Sequence, residues 1–314
     1  MSYVLLVVGF VLLIKGADFF VEGAAAIAKK FHVPGMIIGM TIVAMGTSAP
    51  ECAVSINASL KGNNELAVSN VIGSNIFNLM IVCGVCALIV PLAVKVSTLK
   101  REFPFSIVTA ILLLVTGGVG MSLGIVDGVI MLVIFIIFLL WMIKSAQKAR
   151  LEVPEEDNQE EEDIKDLSIL RSLIYIVCGL IAVLFGSDWV VDGASDIALA
   201  FGLSQNLVGL TIVACGTSLP ELVTSIVASK KNEVDMALGN VIGSNIFNIL
   251  LILGLAAVIT PVAFNVENII DLVILIVFST EVFFFARKGH DIKKSEGIIM
   301  IAEYIAYLVY ICIR

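Results

Sequence analysis

The sequence predicts an all-α polytopic membrane protein with ten transmembrane helices arranged as two inverted five-helix repeats. The chain has 314 residues, is 59% hydrophobic and has a mean hydropathy of +1.07, well above the range of soluble domains. Its apolar runs are long enough to cross a bilayer, which takes about 20 helical residues. A segment containing Gly, Pro and Glu also occurs twice, 170 residues apart.

Ten apolar segments follow one another along the chain, and polar loops separate them. The two repeats occupy residues 1–146 and 169–314. Residues 147–168 join them and carry most of the acidic excess, which is typical of a solvated linker. The predicted spans lie near residues 3–28, 34–59, 66–90, 103–121, 124–144, 169–199, 204–229, 236–260, 268–286 and 295–313.

Basic residues orient the predicted helices. With the N-terminus outside, 16 of the 19 Lys and Arg residues fall in inner loops, Lys61 and Arg314 lie outside, and Lys15 lies within the first span. The positive-inside rule therefore predicts a multi-pass cell-membrane protein with both termini outside and the acidic linker in the cytoplasm. Because each repeat has five spans, the second enters from the opposite side, as in many secondary transporters.

The first repeated motif places polar groups in an apolar segment. Residues 39–51 (GMTIVAMGTSAPE) recur as residues 209–221 (GLTIVACGTSLPE). On a helix, Thr47 and Ser48 share the face that carries Glu51. The neighbouring Gly and Pro favour a break, which frees backbone carbonyls, among them those of Ala44 and Ala214, to turn toward a ligand. The second copy has the corresponding polar residues Thr217, Ser218 and Glu221.

The second repeated motif is identical in both halves: residues 70–78 and 240–248 both read NVIGSNIFN. It adds one Ser and one Asn to each half. Both motifs supply hard oxygen ligands, which suit Ca²⁺ and Na⁺ rather than zinc, copper or iron. Two carboxylates balance one Ca²⁺ or two Na⁺. The added residues are Ser74, Asn78, Ser244 and Asn248.

Small residues in these motifs also permit close helix packing. Packing does not explain Glu51 and Glu221, because a lone carboxylate within lipid is costly. Four further acids favour a structural role over ion passage, and Lys15 is a candidate partner for the first of them. These acids are Asp18, Glu22, Asp188 and Asp192.

The paired GTSxPE and GSNIFN motifs resemble the alpha repeats of the calcium/cation antiporter superfamily, in its prokaryotic sodium/calcium exchanger branch. The resemblance implies that helices 2, 3, 7 and 8 enclose the ions, while helices 1 and 6 slide across this core. By motif match it also implies a calcium site of Thr47, Glu51, Thr217 and Glu221. The implied sodium and central sites are formed by Ala44, Ser48, Ser74, Asn78, Ala214, Ser218, Ser244 and Asn248.

One position departs from some relatives. Asn248 stands where potassium-dependent exchangers carry Asp, so the chain resembles the potassium-independent members. The proton/calcium branch carries GNxxE in place of GTSxPE, which makes proton/calcium antiport the alternative to sodium/calcium exchange.

A cation channel is a second alternative, and it would pass calcium without a counter-ion. An enzyme is not expected, because the sequence has no nucleophile–base set. We expect no cofactor, transport of Ca²⁺ and Na⁺, a lipid bilayer as surroundings, no nucleic acid and no obligatory protein partner.

Overall fold

The computed structural model is almost entirely helical. Most of the acidic linker (153–166) and the beginning of the seventh predicted span (204–211 and 213) lie outside the described residues. The structure describes residues 2–62, 64–152, 167–202, 212 and 214–313.

The described helices follow the predicted spans, several of which are interrupted. Three of the interruptions are π-helical segments, which often mark functional sites. The π-helical segments are Gly39–Val43, Asn78–Val82 and Asn248–Leu253. In chain order, the α-helices are α1 Ser2–Phe31, α2 Gly35–Ile38, α3 Ala44–Thr47, α4 Ala49–Leu60, α5 Asn64–Phe77, α6 Cys83–Ile89, α7 Val96–Lys100, α8 Glu102–Gly118, α9 Ile125–Glu152, α10 Ile169–Ala200, α11 Ala214–Gly216, α12 Leu219–Lys230, α13 Val234–Phe247, α14 Gly254–Ile259, α15 Val266–Gly289 and α16 Lys294–Ile313.

Seven helical stretches of the described chain are long and apolar enough to cross a membrane. Gly35–Thr47 and Ala49–Leu60, which meet at a bend of 50°, are long and apolar enough only when taken together, as a broken span or a re-entrant loop. The span predicted at 103–121 corresponds to α8, which has only 17 residues. The span predicted at 204–229 is described only in part. The chain is therefore a multi-pass helical membrane protein, and ten crossings stay a prediction.

The duplication seen in the sequence extends to the helix boundaries. Helix α12 begins and ends 170 residues after α4, and α13 stands in the same relation to α5. Two short strands, β1 (Leu92–Ala93) and β3 (Val262–Ala263), keep this offset as well. β1 pairs antiparallel with β4 (Asp291–Ile292), and β3 pairs antiparallel with β2 (Ser122–Leu123).

Contacts divide the chain into two compact units, each of which draws on both repeats. The first unit comprises Met1–Thr47 and Leu139–Asn240, and the second comprises Ser48–Phe138 and Val241–Arg314. The repeat boundaries predicted at 1–146 and 169–314 are a matter of sequence symmetry, which this division does not test.

In the first unit, α1 packs against α10 along a seam of glycines spaced seven residues apart. Gly9 faces Gly186 and Gly16 faces Gly179, so the two helices run antiparallel. A Cβ on Gly16 would lie 2.7 Å from the Val183 nitrogen and 2.8 Å from the Gly179 oxygen. The backbones are therefore in direct contact. Since α1 and α10 are the first helices of the two repeats, antiparallel packing is the relation that inversion requires.

In the second unit, glycines again allow helices to approach closely. A Cβ on Gly84 of α6 would lie 3.1 Å from the Gly297 oxygen of α16. The spans that carry the GSNIFN motifs are the most buried of the seven. Glu65–Ile89 and Val234–Ile259 are 72% and 78% buried, against 17–33% for the other five. These two polar motifs therefore lie inside the protein and away from lipid.

Candidate ion-binding site

The GTSxPE motif forms a break between two helices. Helix α3 ends at Thr47, Ser48 adopts φ −80° and ψ 11°, and α4 begins at Ala49. Ser218 has nearly the same angles, φ −92° and ψ 7°, before α12. Each break is followed by a proline in the first turn, where the missing N–H has no intrahelical partner to lose.

This break places both glutamates at helix N-termini. Glu51 lies in the first turn of α4 and Glu221 in the first turn of α12, and both residues are completely buried. The first backbone N–H groups of a helix carry a partial positive charge, which stabilises an ionised carboxylate. The break therefore places each buried glutamate beside the positive end of a helix.

A hydrogen-bonded group in the first unit connects the two repeats, and we call it the Thr47 cluster: Thr47, Glu221, Ser225 and Asn240. The Thr47 hydroxyl donates to Oδ1 of Asn240 at 3.1 Å. The Asn240 amide nitrogen donates to Ser225 Oγ at 2.9 Å and to the Glu221 carbonyl at 3.4 Å. The first motif of one repeat thus contacts the second motif of the other.

A second backbone carbonyl of the first unit also accepts a side-chain hydrogen bond. The Gly216 carbonyl, four residues before Pro220, accepts a hydrogen bond from Ser187 Oγ at 3.0 Å. Proline removes the helical N–H partner of this carbonyl. The position that corresponds to Ser187 in the first repeat is Ala17, which has no side-chain donor. The two repeats therefore differ at this point.

The second unit contains the equivalent of one half of the Thr47 cluster. Asn70 is the counterpart of Asn240, and its amide nitrogen donates to Ser55 Oγ at 3.0 Å and to the Glu51 carbonyl at 3.4 Å. In both repeats, the asparagine that opens the second motif thus binds the backbone of the glutamate in the first motif.

The Asn75 cluster, formed by Asn75, Asn245 and Asn248, joins the two GSNIFN motifs within the second unit. The Asn75 amide nitrogen donates to the Asn245 carbonyl at 3.1 Å, and the Asn245 amide nitrogen donates to the Asn75 carbonyl at 3.2 Å. The Asn248 amide nitrogen donates to Oδ1 of Asn75 at 3.0 Å. This last bond uses the amide nitrogen of Asn248, so Oδ1 of Asn248 is left for another partner.

Asn75→Ala is expected to destabilise the protein more than Asn245→Ala. The Asn75 side chain makes two of these bonds and the Asn245 side chain makes one. A buried polar group that loses its partner costs about 1–3 kcal/mol, and less within a membrane bundle. Thermal unfolding in detergent measures the difference. An equal or larger loss in the Asn245 variant contradicts this assignment.

Several remaining oxygens are buried without a hydrogen-bond partner in the part of the chain that the structure describes. They include the hydroxyl of Thr217 in the first unit and three polar side chains of the second unit. Such atoms are costly unless they bind something polar. The three side chains of the second unit are Ser74, Asn78 and Ser244, and Oδ1 of Asn248 is a further atom of this kind.

The other predicted ligands also lie inside the protein. Ser48, Ser218 and Ala44 are completely buried. Ala214 is the first residue of α11, and the structure does not describe the surroundings of its side chain. Among the described residues, no three His, Cys, Asp or Glu side chains form a metal-binding group.

Sequence reasoning missed some polar contacts. Asp18 makes an ion pair with Lys231 at 2.6 Å, whereas the sequence had offered Lys15 as a candidate partner. Lys231 also lies 3.3 Å from a carboxylate oxygen of Glu22. The roles of Asn70 and Asn240 were not identified either, although both open the duplicated nine-residue motif, and their position at its start was an available signal.

The comparison with protein families bears on this arrangement. The profile of the family described as sodium/calcium exchanger protein matches residues 1–144 and 171–313. The chain belongs to the sodium/calcium exchanger family. The match includes all twelve predicted ligands and omits only the linker region and the last residue.

Relatives and solved structures agree with this membership. The sodium/calcium exchanger MaX1 of Methanosarcina acetivorans is 30% identical over 98% of this chain and 97% of its own length. The inner membrane protein YrbG of Escherichia coli is 34% identical over 97% and 94% of the two chains. A structure of the sodium–calcium exchanger NCX_Mj, soaked with 2.5 mM Na⁺ and 0.1 mM Ca²⁺, has a TM-score of 0.84 and 35% identity over 98% of this chain and 97% of that one.

Membership in this exchanger family supports cation/calcium antiport as the general activity. The relatives with assigned roles are exchangers rather than enzymes. The multi-pass membrane location follows from the family and from the apolar spans of the described chain.

Proposed function

We propose that this protein exchanges sodium for calcium across the cell membrane through one alternating-access site built from both repeats. The observation that carries the proposal is the pair of completely buried glutamates, Glu51 and Glu221, each in the first turn of a helix that follows a GTSxPE break. Helix N-termini stabilise anions, and an anion within a membrane protein requires a compensating cation.

We assign the two ions to overlapping sets of oxygens. Calcium binds both glutamates and the hydroxyls of Thr47 and Thr217, because a divalent ion needs two negative charges and a flexible oxygen shell. Sodium accepts neutral oxygens and therefore uses the serine hydroxyls, the asparagine oxygens and two backbone carbonyls. The proposed sodium and central-site ligands are Ala44, Ser48, Ser74, Asn78, Ala214, Ser218, Ser244 and Asn248.

The buried charges also explain why exchange is obligatory. Without a cation, two carboxylates would be isolated in a medium of low dielectric constant, so movement between outward-open and inward-open states is slow. Calcium or a set of sodium ions neutralises the carboxylates and allows the movement. A steep inward sodium gradient then drives calcium outward. Both termini lie outside and the acidic linker is cytoplasmic, as the distribution of basic residues predicts.

Purified protein in sodium-loaded vesicles is expected to take up radioactive calcium when the vesicles are diluted into sodium-free buffer. Uptake should vanish when sodium is equal on both sides, and it should not require potassium. A protonophore and strong pH buffering remove any proton gradient and should leave uptake intact.

Two outcomes contradict this proposal. Calcium uptake driven by a pH gradient in sodium-free buffer would assign the protein to proton/calcium antiport. Calcium entry into vesicles that contain no counter-ion would indicate a channel. Vesicles without protein provide the control for leakage.

A further inference from the structure

Asn240 is a completely buried asparagine that does not belong to the proposed ligand set. It lies in α13 and makes hydrogen bonds through both atoms of its amide. Oδ1 accepts from the Thr47 hydroxyl at 3.1 Å, and the nitrogen donates to Ser225 and to the Glu221 carbonyl. One side chain thus joins a proposed ligand of the first repeat to the backbone of a proposed ligand of the second.

The orientation of the Asn240 amide is fixed by its partners. The carbonyl of Glu221 can only accept a hydrogen bond, so it requires the amide nitrogen on its side. The amide oxygen then necessarily faces Thr47. A reversed amide would place two acceptor oxygens against each other and would leave the Glu221 carbonyl without this donor.

This orientation offers the Thr47 proton an acceptor outside its own helix. A hydroxyl that binds a cation must direct a lone pair at the ion and its proton elsewhere. Three acceptors are within reach of the Thr47 proton: Oδ1 of Asn240 and the carbonyls of Val43 and Ala44, at 3.1, 3.1 and 3.4 Å. Supporting residues of this kind set the orientation of metal ligands in many proteins.

Close backbone packing holds Asn240 in place. Gly239, its neighbour in the chain, lies so near residues 36–40 that a Cβ on Gly239 would be 3.1 Å from the Met40 nitrogen. This approach brings the start of α13 against residues 36–40 and so fixes the distance between Thr47 and Asn240.

We propose that Asn240 is a positioning residue of the cation site: it accepts the Thr47 proton, directs the Thr47 oxygen at the ion, and couples this ligand to Glu221. The inference rests on the proposed calcium ligation by Thr47 and Glu221. Asn240 itself does not bind the ion.

The first repeat supplies a matched control. Asn70 makes the same two bonds through its amide nitrogen, to Ser55 and to the Glu51 carbonyl. The Thr217 hydroxyl, however, is buried without a hydrogen-bond partner among the residues that the structure describes. Asn240 thus accepts from a threonine in addition to these two bonds.

The test is a double-mutant cycle on the KM for calcium, with Thr47→Ala and Asn240→Ala alone and combined. A hydrogen bond worth about 1 kcal/mol corresponds to about a fivefold change, so we expect each single variant to raise the KM about fivefold to tenfold. Because both changes remove the Thr47–Asn240 bond, the increase in KM of the double variant should be clearly smaller than the product of the two single increases. Thr47→Ser keeps the hydroxyl and should retain the wild-type KM.

The matched cycle pairs Thr47→Ala with Asn70→Ala, and its two effects should multiply, because the Asn70 amide nitrogen binds Ser55 and the Glu51 carbonyl. Multiplying effects in the Asn240 cycle as well would overturn the inference. A lower maximal rate at unchanged KM would also overturn it, since that result indicates a merely structural residue.

Two further measurements keep the result interpretable. If Asn240→Ala does not fold, Asn240→Leu replaces it, because Leu is similar in size and removes both hydrogen-bonding atoms. Calcium-dependent thermal stabilisation of the detergent-solubilised protein reports binding without transport. If calcium uptake by the wild-type protein does not depend on sodium, the proposed function is wrong and the role of Asn240 is unaffected. If the effects of Thr47→Ala and Asn240→Ala on calcium-dependent stabilisation multiply, the role of Asn240 is wrong.

Discussion

Replacing Glu51 or Glu221 by Gln is expected to reduce sodium-driven calcium uptake at least about 100-fold. Removing one partner from a buried charge pair costs about 3–5 kcal/mol, and each 1.4 kcal/mol is a factor of ten in affinity. With one carboxylate gone, a bound Ca²⁺ keeps an uncompensated charge inside the membrane. Initial uptake rates in sodium-loaded vesicles measure the effect.

The control for these variants is Glu65→Gln. Glu65 also lies in the first turn of a helix, α5, but it is exposed. We expect this variant to retain wild-type uptake. Because Gln has nearly the size of Glu and carries no charge, the buried-site variants should fold and should be at least as stable as the wild type in calcium-free buffer. Uptake near the wild-type rate in both would overturn the assignment of the two glutamates.

The sequence alone predicted the helix breaks in both repeated motifs, because such breaks depend on residues close by in the chain. Helix boundaries depend on nearby proline, glycine and polar residues, and these recur at one offset. The breaks at Ser48 and Ser218 therefore fall within the two motifs, and α4 and α12 have matching bounds. Glycine and proline chemistry acts over a few residues and is readable without a structure.

Contacts between distant residues were not readable in this way. Thr47 and Asn240 are 193 positions apart, and Asp18 and Lys231 are brought together only when α1 packs beside α12. Local patterns do not encode which of many basic residues an acid will meet. The π-helical segments were missed too, since such bulges are rare and lie within helices whose apolar pattern predicts only an α-helix.

The repeat also has an asymmetry that the motif sequences conceal. The nine-residue motifs are identical, yet Asn248 bonds to Asn75 while the side chain of Asn78 has no hydrogen-bond partner within the described residues. Identical sequences in two copies of one fold thus adopt different hydrogen bonds. Such a difference is compatible with the proposed alternating access, in which one repeat moves against the other.

Gly16→Leu is expected to abolish transport and to lower thermal stability strongly. The added Cβ would lie within 2.8 Å of two backbone atoms of α10, so α1 and α10 would have to separate. Overpacking of this kind costs about 1–3 kcal/mol or more, and here rigid backbone rather than a side chain resists it. Vesicle uptake and thermal unfolding in detergent measure the two effects. Gly118→Ala is the control, because its Cβ would meet only a side-chain atom of Ile269 at 3.8 Å.

The smaller change Gly16→Ala separates two roles of this seam. If α1 and α10 only support the fold, transport should fall in proportion to the amount of stable protein. If α1 and α10 must move as one closely packed pair during the access change, a folded Ala variant should turn over several-fold more slowly at an unchanged KM for calcium. We expect the second result, and a normal turnover number in the folded Ala variant would contradict a role of this seam in the access change.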